Sequence, residues 1–530
     1  MLDDWGWNNW GVHAHGLANN AEVRTPELDK LAAAGLILDR HYTAPLCSPT
    51  RAAFQTGRNP IHVDSTNGNP ARFNATDRVS GFEGIPTNMT VIAEKMSSAG
   101  YAAHFVGKWH VGHSSRRQLP KARGYSTFLG YFNAGTNYWK YTVNDGICRD
   151  TKVTVMDMWA HNATTEGPAF DVKPPATCNT KHQSGCVYVD ELLQERASDI
   201  ILAHDKNQPL FLVYAPHAIH SVLSPPAARL QEFASIGDSK ARRNYAATVA
   251  DIDTRIGALV STLKAQGMWD NSLIIVMSDN GGPISSNGGA SNYPLRGGKY
   301  GSMEGGVRTN AFITGGRLPA KQIGKVASGL VAVEDWYATF CALGRADPTD
   351  TKAQKAGLPP VDSINMWPYL SGQVSAFKFT GDPVQKSPRK EVTLGFTTGM
   401  PLDTVAAQAV IDKNGYKLIV GDVTPADWSP QINPTGTTSA STKLKCGDRT
   451  QALMAPYTGA CLFNVFSDPS ERQNLAADVT KLPIIQRLAQ RLVDINKTVF
   501  APKRGPDTQD DTACQLVLNK WAGSEGPWLE

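Results

Sequence analysis

No apolar run in the 530-residue sequence approaches the roughly 20 residues needed to cross a bilayer, so no membrane span is expected and the mature chain is expected to be soluble. Charge of one sign is equally scarce. Lysine and arginine number 52 against 48 acidic residues, a net +4, too weak at this length for a nucleic-acid binder. Internal repeats and low-complexity tracts are missing too. The opening Met1-Leu2-Asp3-Asp4 has none of the regions of a signal peptide, which reads as a start placed late or as a processed or partial chain. What is present is ordinary globular composition, 41% hydrophobic and 19% charged, in a chain too long for one small core. One large and one smaller domain are expected.

Cysteine is sparse, and its spacing is informative. Cys178–Cys186 and Cys446–Cys461 each close a short loop and are expected as disulfides. Cys341 lies in an apolar helical pattern and reads as a buried thiol. If Cys47 is reserved for chemistry, seven of the eight cysteines remain, so at least one other should be free. Glycosylation tripeptides at Asn74, Asn88, Asn162 and Asn496 agree with the loop cysteines in pointing to an oxidising, secretory-pathway compartment.

The stretch Pro45–Arg58 brings Cys47 to the expected start of a helix, with Pro49 in its first turn and Ser48 or Cys47 as the cap. Free backbone N–H groups there favour an anion beside Cys47, and Arg51 can direct a forked cation to the same spot. Other polar residues follow short apolar strands. Lys108 and His110 come after Ala102–Val106, and His217 and His220 after Leu210–Tyr214. Asp279 and Asn280 follow Leu273–Met277. Ligands bind at the carboxyl edge of open α/β sheets. Each group also has an ordinary reading: a solvated turn for Asp3-Asp4, a surface Lys and a satisfied His after a strand, a helix N-cap for Asp279. Asp3, Asp4, Asp279 and Asn280 together are oxygen donors suited to a hard divalent ion. Metal binding through both His217 and His220 is the weaker alternative, since no Cys or third His is near in sequence.

Cys47-Ser48-Pro49-Thr50-Arg51 resembles the sulfatase signature C-x-P-S/T-R, and Asp3-Asp4-Trp5-Gly6-Trp7 resembles the opening motif of that family. The resemblance extends to Gly100–His110, to His217-x-x-His220, to Pro294–Arg308 and to Cys461–Leu475, nearly the whole chain. The wording from Arg24 to Arg58 is nearest the group that includes N-acetylgalactosamine-4-sulfatase. Three departures are Asn9 where the family usually has an acid, Ala103 for a Thr or Ser, and Met303 for a Trp.

The resemblance implies an α/β fold of the alkaline-phosphatase type. A large mixed, mostly parallel sheet flanked by helices would occupy 1–372, followed by a linker at 373–391. A smaller antiparallel sheet with a helix would occupy 392–530, with a hairpin at Asn414-Gly415. The implied activity is hydrolysis of a sulfated sugar, polysaccharide or aryl sulfate by a formylglycine made from Cys47 by a formylglycine-generating enzyme. Asp3, Asp4, Cys47, Asp279 and Asn280 would hold one Ca²⁺, and Arg51, Lys108 and Lys299 would neutralise the sulfate oxygens. His220, with Lys299, would protonate the leaving oxygen, and His110 would take a proton from the hydrated aldehyde. A phosphate or phosphonate ester hydrolase of the same superfamily and an inactive carbohydrate-binding relative are the alternatives. Loops 59–86, 111–187 and 283–295 are expected to shape the pocket, and a lysosome-like or extracellular destination is implied.

Overall fold

The computed structural model describes the chain except residues 15–21, 65, 150–152, 238, 285–287, 374–386, 398–404, 431–441, 448–458, 506–510 and 530. Most of the expected linker at 373–391 therefore lies outside the described residues, and a strand begins at Glu391.

Two sheets form the body of the chain. In one, Ala102–Lys108 pairs in parallel with Thr127–Tyr131 and with Leu210–Ala215, while Trp159–His161 and Glu166–Pro168 add antiparallel edges. In the other, Ile274–Met277, Ala311–Thr314, Leu36–Leu38 and Lys325–Ala327 lie side by side, with the last pair parallel. The first residues of the chain join them. Leu2 bridges Ser278 in parallel, its amide donating to Met277 O at 2.8 Å, and the Asp3 amide donates to Ala218 O at 3.3 Å. Joined through Leu2, they make a mixed arrangement, with parallel pairs at its centre and at the Leu36–Leu38/Lys325–Ala327 edge and antiparallel pairs between these and at the opposite edge.

Successive strand residues point to opposite faces, and both faces are covered. Phe105, Val213, Met277 and Ile313 pack with Ala52, Ile92 and Trp336 from helices on one side. Val106 faces the other side with Leu193, Ala197 and Ile200 of helix Val189–Ala203. Val276 and Phe312 there meet Val249, Ile252 and Ile256 of helix Lys240–Ala265. Burial on both faces explains why the strands read as apolar runs without alternation.

The C-terminal strands Glu391–Thr397, Val405–Asp412, Tyr416–Ile419 and Cys461–Asn464 form an antiparallel sheet. The hairpin turns at Asn414-Gly415, with Gly415 at φ 82°, a conformation that suits glycine. Val410, Leu418 and Leu462 face helix Leu482–Asn496, whereas Ala409, Ile419 and Phe463 face Tyr42, Met303 and Val307. A buried cluster reinforces that second contact. Lys417 Nζ lies 2.9 Å from both Glu304 and Glu471, and Tyr42 donates to Glu304 at 2.9 Å.

Both expected loop disulfides are present, and Cys341 is a buried thiol. A third disulfide, Cys148–Cys514, was not anticipated, and it accounts for the odd cysteine by leaving only Cys47 and Cys341 free. No helix among the described residues is long and apolar enough to cross a membrane.

Candidate active site

Helix Cys47–Thr56 begins one residue earlier than a Cys47 cap requires and two earlier than a Ser48 cap. Leu46 is the cap residue, and no side chain caps the helix. Thr50 instead fastens the entry, its hydroxyl accepting from the Ala44 amide at 3.0 Å. Cys47, in the first turn, is 1% exposed, and its Sγ lies 3.6 Å from Asp3 Oδ1. Burial, with Asp279 and Asp3 beside it, pushes the thiol far above its usual range. A protonated, shielded sulfur is a poor nucleophile.

The predicted residues converge around it. Asp3, Asp4, Cys47 and Asp279 each offer a ligand atom, all within 4.8 Å of one another. Three cations face the three carboxylates. Arg51 donates to Asp279 Oδ2 through Nε at 3.0 Å and Nη2 at 2.8 Å, and to Lys108 O at 3.1 Å. Lys108 Nζ is 2.5 Å from Asp3 Oδ2, and Lys299 Nζ is 2.8 Å from Asp4. Asn280 donates to Asp4 Oδ1 at 2.7 Å, while its own buried Oδ1 accepts no hydrogen bond among the described residues.

Burial raises all three carboxyl groups in principle, and the neighbours then separate them. Desolvation, moderated by Lys299, brings Asp4 up to about 6. Asp279 is raised by burial and by Asp3 against the pull of Arg51. For Asp3 burial is overcome by Lys108, His220 and Arg51, which hold it well below the carboxylate range. Lys299 is raised well above its usual value despite burial, chiefly by Asp4, and stays charged.

Both histidines reach this cluster. His220 Nδ1 donates to Ser221 O at 2.6 Å, which leaves Nε2 facing Asp4 Oδ2 at 4.0 Å. Burial, Lys299 and Lys108 hold its pKa well below 6.5, and burial, Lys108 and Arg51 do the same to His110. His110 Nδ1 is buried with no partner among the described residues. His217 does not face a metal: its Nε2 accepts the Thr136 amide at 2.9 Å. Gly135 brings that loop close, since a Cβ there would lie 2.9 Å from His220 Nδ1. The 111–187 loop therefore does reach the site.

Sequence reasoning missed the supports. Tyr245, in helix Lys240–Ala265, donates to Asp4 O at 2.7 Å and accepts from the Gly6 amide at 3.0 Å. Asp190 accepts from the His217 amide at 2.7 Å. Asn292 accepts from the Trp7 and Gly282 amides and donates to Gly282 O and Gly297 O, tying the acidic loop to the Lys299 turn. An asparagine in a glycine-rich loop carries no sequence signal for such a role.

The set fits a divalent cation on its own chemistry. Its donors are hard oxygens, and Asn280 supplies an acceptor that the protein itself leaves unused. The three protein cations already balance the three carboxylates, so an added cation would free them for an anion.

The family model described as Sulfatase matches residues 1–345. The chain belongs to the sulfatase family. It hydrolyses sulfate esters. This sulfatase is 29% identical over 539 residues to arylsulfatase J of Mus musculus, an alignment spanning 100% of this chain and 79% of that protein. It is 28% identical to N-acetylgalactosamine-6-sulfatase of Canis lupus familiaris, spanning 98% of this chain and 88% of the relative. Among solved structures, Ps i-CgsB bound to a neocarrahexaose has the same fold, with TM-score 0.69 and 22% identity over 98% of this chain and 96% of that one.

Proposed function

We propose that this sulfatase removes sulfate from a sulfated sugar or polysaccharide, using Cys47 in its formylglycine form and one Ca²⁺. The observation that carries the reading is the meeting of Asp3, Asp4, Cys47 and Asp279 within 4.8 Å, ringed by Arg51, Lys108 and Lys299. The sugar class is supported by a relative named N-acetylgalactosamine-6-sulfatase, and the fold neighbour Ps i-CgsB was solved in complex with a neocarrahexaose. When bound, Ca²⁺ held by Asp3, Asp4, Asp279, Asn280 and the modified Cys47 would polarise a sulfate oxygen, and the aldehyde hydrate at position 47 would carry the attacking hydroxyl.

The chain's own residues do the rest. Arg51, Lys108 and Lys299 bind the sulfate and offset the charge that moves onto its oxygens. His220 delivers a proton from Nε2 to the leaving alcohol oxygen, helped by Lys299. Its orientation is held by the Nδ1–H bond to Ser221. Burial, Lys299 and Lys108 keep the ring neutral before substrate arrives. The bound sulfate anion, by offsetting those cations, lets Nε2 take up the proton it then passes to the leaving oxygen. His110 is kept neutral by the same burial and serves as the base. We keep the division into a catalytic part at 1–372 and a smaller part at 392–530 as a proposal. The separate C-terminal sheet supports it, although the segment from Asp511 onward is tied to the larger part by Cys148–Cys514 and by Glu525. The three disulfides favour maturation in an oxidising secretory compartment, where the formylglycine-generating enzyme would act on Cys47.

Mass analysis of the peptide holding Cys47, from a host with the modifying enzyme, tests the nucleophile. An aldehyde is expected, and a persistent free thiol would contradict the reading. Turnover of 4-nitrophenyl sulfate against a phosphodiester tests the reaction, and a phosphodiester preference would favour the phosphate or phosphonate alternative. Desulfation of defined sulfated saccharides identifies the substrate.

A further inference from the structure

The site described above is almost sealed. The side chains of Arg51 and Lys299 are each 4% exposed and that of Asp3 is 0%, whereas His220 reaches 15%. His220, the most open of these, marks the side on which substrate enters, and Asp4 links it to Lys299 at 4.0 and 2.8 Å. Tyr300, next to Lys299, is 52% exposed there. Its ring centroid lies 5.5 Å from Lys299 Nζ, and its amide donates to Pro45 O at 2.7 Å, two residues before Cys47. The same Lys299 Nζ lies 2.8 Å from Asp4, so the Tyr300 ring stands one side chain away from the charged pit.

The backbone makes this position unusual. Tyr300 has φ 77°, a region that bulky residues seldom occupy. Asp4 at φ 59° and His110 at φ 52° share that region within the same site. Such strain persists where a function retains it. Glycine would meet the turn at no steric cost, so an aromatic that is both strained and half exposed has no reason in packing.

We infer that Tyr300 is a specificity-determining residue whose ring stacks on the apolar face of the sugar that carries the sulfate, at the mouth of the charged pit. The inference rests on the saccharide reading of the function. The chemistry matches in two parts. The pit takes the sulfate by charge, while a pyranose ring presents C–H groups that pack on an aromatic face. Lys299 lies near both and couples them, so a ring seated on Tyr300 arrives with its sulfate oriented toward position 47.

The test uses the full chain with the chondroitin 4-sulfate and 6-sulfate disaccharides, a sulfated carrageenan hexasaccharide, and inorganic sulfate as a competitive inhibitor. For the saccharide desulfated by the wild type, Tyr300→Ala is expected to raise KM about 10-fold with kcat changed by less than about 3-fold. Inhibition by inorganic sulfate should be unchanged, because the anion cradle is untouched. Tyr300→Trp should restore KM. Tyr300→Gly should repeat the Ala defect while leaving Tm equal or higher, which separates lost stacking from lost folding. Equal KM in the wild type and both small variants would overturn the inference. So would a parallel loss of sulfate inhibition, which would make Tyr300 merely a support for the Lys299 turn. A wild type that desulfates none of the saccharides yet cleaves a phosphodiester would overturn the functional reading and the inference with it, a result recognisable before any variant is made.

Discussion

Arg51 grips Asp279 through a single carboxylate oxygen, with Nε at 3.0 Å and Nη2 at 2.8 Å from Oδ2, and the other oxygen accepts the Asp4 amide at 3.2 Å. The guanidinium is thereby fixed in one plane with Nη1 on the Lys108 carbonyl. A lysine has no fork and cannot make these contacts together. Arg51→Lys is therefore expected to behave nearly as badly as Arg51→Ala, each lowering kcat/KM on a sulfate ester by about 10²- to 10³-fold. Steady-state kinetics on 4-nitrophenyl sulfate measures this, and near-normal turnover by the lysine variant would refute the geometric argument.

The same carboxylates predict an effect of metal on stability. A ligand that binds only the folded state at 100 times its Kd adds about 2.7 kcal/mol. Stripping with a chelator should lower Tm, and Ca²⁺ should restore it. Asp279→Asn should lose the response, because a donor oxygen loses its charge. A Tm identical in chelator and in Ca²⁺ would remove calcium from the proposal, whatever the activity.

The sequence made the strands and their terminal residues readable because both sheet faces are buried, so each strand is a short apolar run that stops at a polar residue. Lys108, Asp279 and Asn280 were found that way, each just at or past the end of its strand. Long-range pairing was not readable. Nothing near Cys148 points to Cys514, 366 residues on. The support residues were hidden for a related reason. Tyr245 sits on the apolar face of its helix and looks like core until Asp4 is folded against it. The departures from the family pattern also acquire reasons. Asn9 accepts the Ser291 amide at 2.7 Å, Ala103 is buried in the core, and Met303 fills the contact with the C-terminal sheet.

Asp190 predicts a pH dependence. Burial raises its carboxyl from 3.8 to about 7, against the pull of Arg255 and of the His217 amide. The folded pKa lies above the unfolded one, so the folded state holds this proton more tightly. The stabilisation is complete below about pH 4 and is lost as pH rises through about 7, a change on the order of 4 kcal/mol. Asp190→Asn keeps an oxygen for the His217 and Ala218 amides and cannot ionise. The variant should gain on the wild type in Tm as pH rises from 5 to 8. Parallel Tm curves would show that Asp190 is already charged in the folded chain.

The Cys148–Cys514 link should be the disulfide whose loss costs most. It spans 366 residues, against 8 for Cys178–Cys186 and 15 for Cys446–Cys461. Loop-closure entropy grows as the logarithm of loop length, which puts the long link about 3 kcal/mol ahead of the shortest. The C-terminal segment has other attachments. His113 lies 3.0 Å from Glu525, the Ile147 amide donates to Glu525 at 3.0 Å, and the Leu529 amide donates to Ser114 O at 2.8 Å. Replacing both Cys148 and Cys514 with serine should therefore lower stability by about 2–5 kcal/mol while the tail stays docked. Chemical denaturation of the three double-serine variants ranks them, and limited proteolysis reports the tail. A Cys178/Cys186 pair that proved the costlier would mean that native contacts, rather than the unfolded chain, set the value of these links.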